Sequence, residues 1–258
     1  MLGFYKYALG PVLLAQAARV RRSALRLPEP AGDRYGAVLA PGHAPPVRLL
    51  FVGDSSAVGV GVAHQDHALA SQCAVLLSRR TGRSVEWRLV AKSGVDTAQA
   101  LAMLGTHDIR PAEIAITALG VNDVTSQTAS QRFLGDYQLL FDALRARAGV
   151  RFGVISGLPP MHEFSLIPYP LRWYLGEYAK RLDAQLRAWV ASQPHLRYVS
   201  LGWTGAQQDL AADGYHPGPG QYRHWARLVA GNIAELLQAP ADQAHGPSRV
   251  PDPARSGG

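Results

Sequence analysis

Short apolar runs and amphipathic stretches alternate along most of this chain. VRLLFVGD at 47–54 is a compact apolar run closed by Gly-Asp, the pattern of a strand buried on both faces. A helical stretch follows around 66–81, and SVEWRLV at 84–90 predicts a second strand. Asp96 and Thr97 open a short helix over 96–104, and EIAITALG at 113–120 is the third strand. Phe133, Tyr137, Leu140, Phe141 and Leu144 recur at helical spacing, which predicts a helix over 130–147. RFGVISG at 151–157 is a fourth strand, 171–192 a long helix, LRYVSL at 196–201 a fifth strand and 219–237 a last helix. Five strands alternating with helices imply an open, mostly parallel α/β sheet covered on both faces. Ligands of such sheets bind beyond the carboxyl ends of the strands.

The flanks read differently. Residues 1–26 form an apolar and basic segment, with an apolar-rich stretch at 2–18 broken by Lys6, Gly10-Pro11 and Gln16. It is too short and interrupted for a transmembrane helix. Its stronger charge, Arg19 to Arg22, follows the apolar part, whereas a cleavable signal peptide carries charge before it. A helix lying on a membrane surface and an ordinary docking helix both fit, so a cytoplasmic or membrane-peripheral location is expected. Residues 27–46 are rich in Pro and Gly and read as a linker or wrapping segment. The alternating strand and helix pattern fills 47–238, and 239–258 lacks apolar periodicity and reads as a disordered tail.

Composition narrows the class. In 258 residues, 47% are hydrophobic and 17% charged, which is a globular balance. The net charge of +7 comes from arginines scattered along the chain, so a solvated surface is preferred over nucleic-acid binding. Cys73 is the single cysteine, which rules out an intrachain disulfide and a cysteine-based zinc site.

Candidate chemistry stands after each strand. Gly53-Asp54-Ser55-Ser56 follows the first and, taken alone, reads more readily as a serine-capped turn. A serine nucleophile needs a base. Asp213-Gly214-Tyr215-His216 follows strand five, and its spacing lets one turn bring a carboxylate to an imidazole. Lys92-Ser93-Gly94 and Gly120-Val121-Asn122-Asp123 follow strands two and three. Each can offer a donor to a developing oxyanion, and each is equally a capped polar turn. Gly59-Val60-Gly61 is not a dinucleotide loop, because the third glycine of the fingerprint would fall at His64. His64, Asp66 and His67 read as surface or helix-start residues rather than metal ligands. The segment from Pro159 through Tyr169 to Tyr174 is either a wall or lid of a binding pocket or a loop over the core, and Trp203 invites the same two readings.

The four blocks FVGDSS, AKSG, LGVND and DGYHP together resemble the SGNH, or GDSL-type, hydrolase family over about residues 47–237. The resemblance implies a flavodoxin-like three-layer α/β/α sandwich with a five-stranded parallel sheet in order 2-1-3-4-5. It implies ester hydrolysis by a Ser-His-Asp triad through an acyl-enzyme, with no cofactor or metal. Carried over by position, Ser55 matches the nucleophile, His216 the base and Asp213 its orienting partner. The N–H groups of Ser55 and Gly94 and the side chain of Asn122 match the oxyanion hole. Ser56 stands where many members carry leucine, and Ser55, directly after Asp54, is the better match. The expected activity is that of a serine esterase on a small-molecule ester with a small to medium acyl chain. Lysophospholipids, thioesters, O-acetylated sugars and acyl transfer are alternatives on the same site. A non-catalytic binding module is disfavoured, because it has no reason to keep all four blocks.

Overall fold

The computed structural model describes residues 5, 7–204 and 209–238. The segment 239–258, read above as a tail, lies outside the described residues. In chain order the elements are α1 (Gly10–Ser23), β1 (Tyr35–Val38), β2 (Val47–Gly53), α2 (Ser55–Val58), α3 (Leu69–Thr81), β3 (Val85–Ala91), α4 (Thr97–Thr106), β4 (Ile114–Ala118), α5 (Val121–Ser126), α6 (Ser130–Ala148), β5 (Phe152–Ser156), α7 (Leu171–Ala191), β6 (Leu196–Val199) and α8 (Pro219–Gln238). Single 3₁₀ turns cover Gln65–His67 and Met161–Glu163.

Each element forms where local chemistry directs it. β2 and β4 are buried on both faces, as parallel strands between helical layers must be. The start of α4 is fixed by a reciprocal capping box: the Asp96 side chain accepts from the Gln99 N–H, and the Gln99 side chain accepts from the Asp96 N–H. The region expected as one helix from 66 is split. His64 caps the 3₁₀ turn by accepting from the Asp66 N–H at 3.3 Å, and α3 starts only at Leu69.

The sheet runs β1-β3-β2-β4-β5-β6. Its last five strands are parallel, in the implied order 2-1-3-4-5. The expectation of a five-stranded parallel sheet needs one correction. A sixth strand, β1, pairs antiparallel with the free edge of β3, Tyr35 opposite Arg88 through Val38 opposite Val85. It lies inside the Pro/Gly-rich stretch and carries little apolar pattern, because edge pairing rests on backbone groups offered by β3.

The core is split by the sheet. Leu50, Val52, Ala115 and Ile155 face one layer, built by α4, α6 and α7. Leu49, Phe51, Ile116 and Val154 face the other, built by α3 and α8. Leu13 of α1 is buried against the first layer, and α1 meets α7 at its N-terminal end.

Parallel register brings strand ends level. Gly53 pairs with Ala91 on one side and Ala118 on the other, and Ala118 with Ser156. The turns leaving β2, β3 and β4 therefore open side by side on one edge.

Candidate active site

Ser55 is the first residue of α2, two positions beyond the end of β2. The turn before it is tied to its neighbours: the Asp54 N–H donates to the Ala118 carbonyl at 3.1 Å, and the Ser56 N–H donates to Asp54 Oδ1 at 2.9 Å. From below, the hydroxyl of Tyr222 on α8 donates to the carbonyls of Val60 at 2.8 Å and Ser56 at 3.1 Å. The loop after Ser55 has its glycines for a reason. Gly61 sits at φ +110°, and a Cβ there would lie 2.2 Å from the Pro217 carbonyl oxygen. The loop after Ser55 and the turn beyond His216 touch backbone to backbone, which only glycine permits.

The Asp213–His216 turn closes on this loop. His216 Nε2 lies 2.9 Å from Ser55 Oγ, and His216 Nδ1 lies 2.6 Å from Asp213 Oδ2. The other carboxylate oxygen, Oδ1, accepts from the N–H groups of Tyr215 at 3.0 Å and His216 at 3.1 Å. Burial pushes the Asp213 carboxyl upward, but the His216 ring and the two backbone donors outweigh it and hold it below the ordinary range. It stays ionised beside the imidazole.

Gly94 adopts φ +83° in the turn after β3, a left-handed conformation that suits glycine. That turn is held from outside by Glu29, whose carboxylate accepts from the Ser93 hydroxyl at 2.7 Å and the Ser93 N–H at 3.2 Å. Neither the Ser55 N–H nor the Gly94 N–H has an acceptor among the described residues. Asn122 follows β4 at the start of α5, and its amide donates to the Val95 carbonyl at 2.9 Å and to Asp54 Oδ2 at 3.3 Å. Asp54 is 2% exposed, and burial raises it to about 6 against the opposing Ser56 hydrogen bond and His216. Asp123, one residue on, accepts from the N–H and hydroxyl of Thr97 and ties α5 to α4.

All five residues singled out from the sequence, Ser55, Gly94, Asn122, Asp213 and His216, therefore share one edge of the sheet, and all but the buried Asp213 line one cavity of about 890 Å³. Ser56 also lines it, but His216 bonds to Ser55. Sequence reasoning missed Glu29, Asp54 as a partner of Asn122, and Tyr222, because their partners are far away in the chain or carry no motif. Of the segment 159–174, Pro159, Met161, Phe164, Ile167, Leu171 and Tyr174 line the cavity. Trp203 does not, and packs edge-on against His224 at 4.6 Å between centroids. Among the described residues no group of His, Cys, Asp and Glu could hold a metal ion.

A serine, an imidazole and a carboxylate are thus joined by hydrogen bonds at the carboxyl edge of a parallel α/β sheet. The sequence profile of the GDSL-like lipase/acylhydrolase family matches residues 51–224, and the chain belongs to that family. It is an ester hydrolase by that membership. Solved structures share the fold. The lipase Lip_vut3 from a goat rumen metagenome is 18% identical with a TM-score of 0.57, over 72% of this chain and 96% of that one. Est24, a carbohydrate acetylesterase from Sinorhizobium meliloti, is 17% identical with a TM-score of 0.53, over 74% and 99%. The inhibitor-bound aryl esterase of M. smegmatis is 18% identical with a TM-score of 0.54, over 74% and 100%. No curated protein matches the chain in sequence.

Proposed function

We propose that the chain is a serine esterase that cleaves carboxylic esters of small to medium acyl chains through an acyl-enzyme on Ser55. The observation that carries this reading is the continuous hydrogen-bonded line from Ser55 Oγ to His216 Nε2 at 2.9 Å and from His216 Nδ1 to Asp213 Oδ2 at 2.6 Å. In the first half-reaction His216 Nε2 takes the Ser55 hydroxyl proton as Oγ bonds to the ester carbonyl carbon. The carbonyl oxygen becomes an oxyanion. The N–H groups of Ser55 and Gly94, which have no acceptor among the described residues, receive it, and each such donor is worth about 3 kcal/mol of barrier. Asn122 joins them by giving up its longer bond, the one to Asp54. The carbon–oxygen bond to the alcohol then breaks, and the alcohol leaves with the proton from His216. In the second half-reaction water gives its proton to His216 and adds to the acyl carbon. Collapse returns the proton to Ser55 Oγ and releases the acid.

Purified protein assayed on p-nitrophenyl esters tests this. Ser55→Ala and His216→Ala should each lose nearly all turnover, while Ser56→Ala keeps most of it. Full activity in Ser55→Ala would sink the mechanism.

We also propose that α1 rests on an anionic lipid surface. Among the described residues no helix is long and apolar enough to cross a membrane. Residues 1–28 nevertheless carry Lys6, Arg19, Arg21, Arg22 and Arg26 and no acidic residue. Tyr7, Val12, Leu14 and Leu25 are exposed on the same segment, with Leu166 and Tyr169 on the loop that meets it. Apolar side chains beside unopposed arginines suit an interfacial helix. Co-sedimentation with phosphatidylcholine vesicles, with and without phosphatidylserine, should show serine-lipid-dependent and salt-sensitive binding. Equal recovery in the pellet with both vesicle types refutes it.

A further inference from the structure

The cavity is larger than the chemistry above requires. From Ser55, Gly94, Asn122 and His216 it continues between α1, the loop that carries Met161–Glu163, and the start of α7. Its far walls are Leu13 and Ala17 of α1, Phe164 and Ile167 of the loop, and Leu171 and Leu175 of α7. None of these side chains can hydrogen-bond or ionise, although Arg21 and Arg26 of the N-terminal segment and Tyr174 of α7 also line the cavity. A volume of about 890 Å³ lies near the top of the range for small-molecule sites. That is far more than an acetyl ester fills.

The α1 wall is built in. The Gln16 side chain bonds the loop and α7 at once: Nε2 donates to the Tyr169 carbonyl at 2.9 Å, and Oε1 accepts from the Leu171 N–H at 3.0 Å. Leu13, one turn earlier, is buried against the same layer. Walls of this kind penalise a polar group that loses water without gaining a partner. They reward each buried methylene by about 0.8 kcal/mol, or about fourfold.

We propose that α1 and the loop at 159–170 form a binding site for a linear alkyl chain of the ester, so that α1 sets the chain-length preference. This rests on the serine esterase reading and deepens it. The groove contacts a chain on the acyl side or the alcohol side by the same chemistry, and two substrate series separate the two.

The test measures kcat/KM of the full chain on p-nitrophenyl acetate, butyrate and octanoate, and on methyl, butyl and octyl acetate. The octyl-length member of one series should exceed its shortest member by at least tenfold, and the series that rises identifies the side. Leu14→Lys places a charge in the groove at a position that is 70% exposed and so spares the core. Ala17→Phe fills the groove instead. Each should lower that long-to-short ratio at least tenfold. A flat profile in both series, or a ratio unmoved in both variants, overturns the proposal. Loss of acetate turnover in Ser55→Ala is read separately, so a failed groove and a failed catalytic assignment give different results.

Discussion

Asp213 offers a substitution whose outcome follows from which oxygen does what. Oδ1 accepts from the N–H groups of Tyr215 and His216, and Oδ2 alone meets the imidazole at 2.6 Å. In Asp213→Asn the amide oxygen must stay on the two backbone donors, because turning it away would leave both unmet at about 1–3 kcal/mol each. The amide nitrogen then faces His216 Nδ1 as a donor. Nδ1 is forced to accept, the ring proton moves to Nε2, and Nε2 no longer accepts from Ser55 Oγ. Loss of both base and imidazolium partner predicts a fall in kcat of about 10⁴-fold, equivalent to about 5.5 kcal/mol of barrier. The turn itself keeps its hydrogen bonds, so the melting temperature should hardly move. Asp213→Ala should do the reverse. It removes the acceptor from both N–H groups and lowers the melting temperature, but leaves the ring free to choose its tautomer and so costs less in kcat. Initial rates on a p-nitrophenyl ester and thermal melts of the three proteins decide it. An Asn variant within tenfold of the parent kcat, or one less active only in step with lost stability, refutes the tautomer argument.

Gly61→Ala combines a left-handed backbone strained by a Cβ with a 2.2 Å approach to the Pro217 oxygen. A cost of about 1–3 kcal/mol is expected, and because Pro217 adjoins His216, kcat should fall by more than tenfold with KM little changed; an unchanged kcat in a destabilised variant would show that this contact does not position the base. Asp123 is 1% exposed, and its carboxyl is raised from the ordinary 3.8 to about 6, first by burial and then by Asp96, against its hydrogen bonds from Thr97. A folded pKa above the unfolded one means that the folded state holds the extra proton, so this group's contribution to stability declines as pH rises from about 4 to about 6, by about 3 kcal/mol in all. Asp123→Asn removes that decline, and its stability relative to the parent in urea titrations should climb through the same window and level off above it. Asp54, raised to about 6 likewise, is held up in small part by the Asp123 charge, so its decline also eases in Asp123→Asn and adds to the same climb; parallel pH curves would contradict the assignment.

Much of this molecule is written locally. The runs at 47–54, 84–90 and 113–120 became β2, β3 and β4 within a residue or two, because burial on both faces leaves an uninterrupted apolar signature. Asp96 and Thr97 marked the start of α4, because a capping box is chemistry between neighbours. The four candidate blocks were legible for the same reason, since each is a short turn that the chain must make on leaving a strand. Other features were decided by contacts across the fold. Ser55, the better match by its place after Asp54, meets His216 across 161 positions, and the Gly61 loop closes on Pro217 beside that pair. β1 exists because β3 has a free edge, and Glu29 holds the Gly94 turn from a segment that reads as a linker. The N-terminal helix, equally a surface or docking element by its pattern, is a wall of the cavity because Gln16 finds two backbone partners on the loop and α7. Periodicity and turn chemistry are properties of adjacent residues and can be read in one dimension. Register, edge pairing and the meeting of distant turns exist only once the chain has packed.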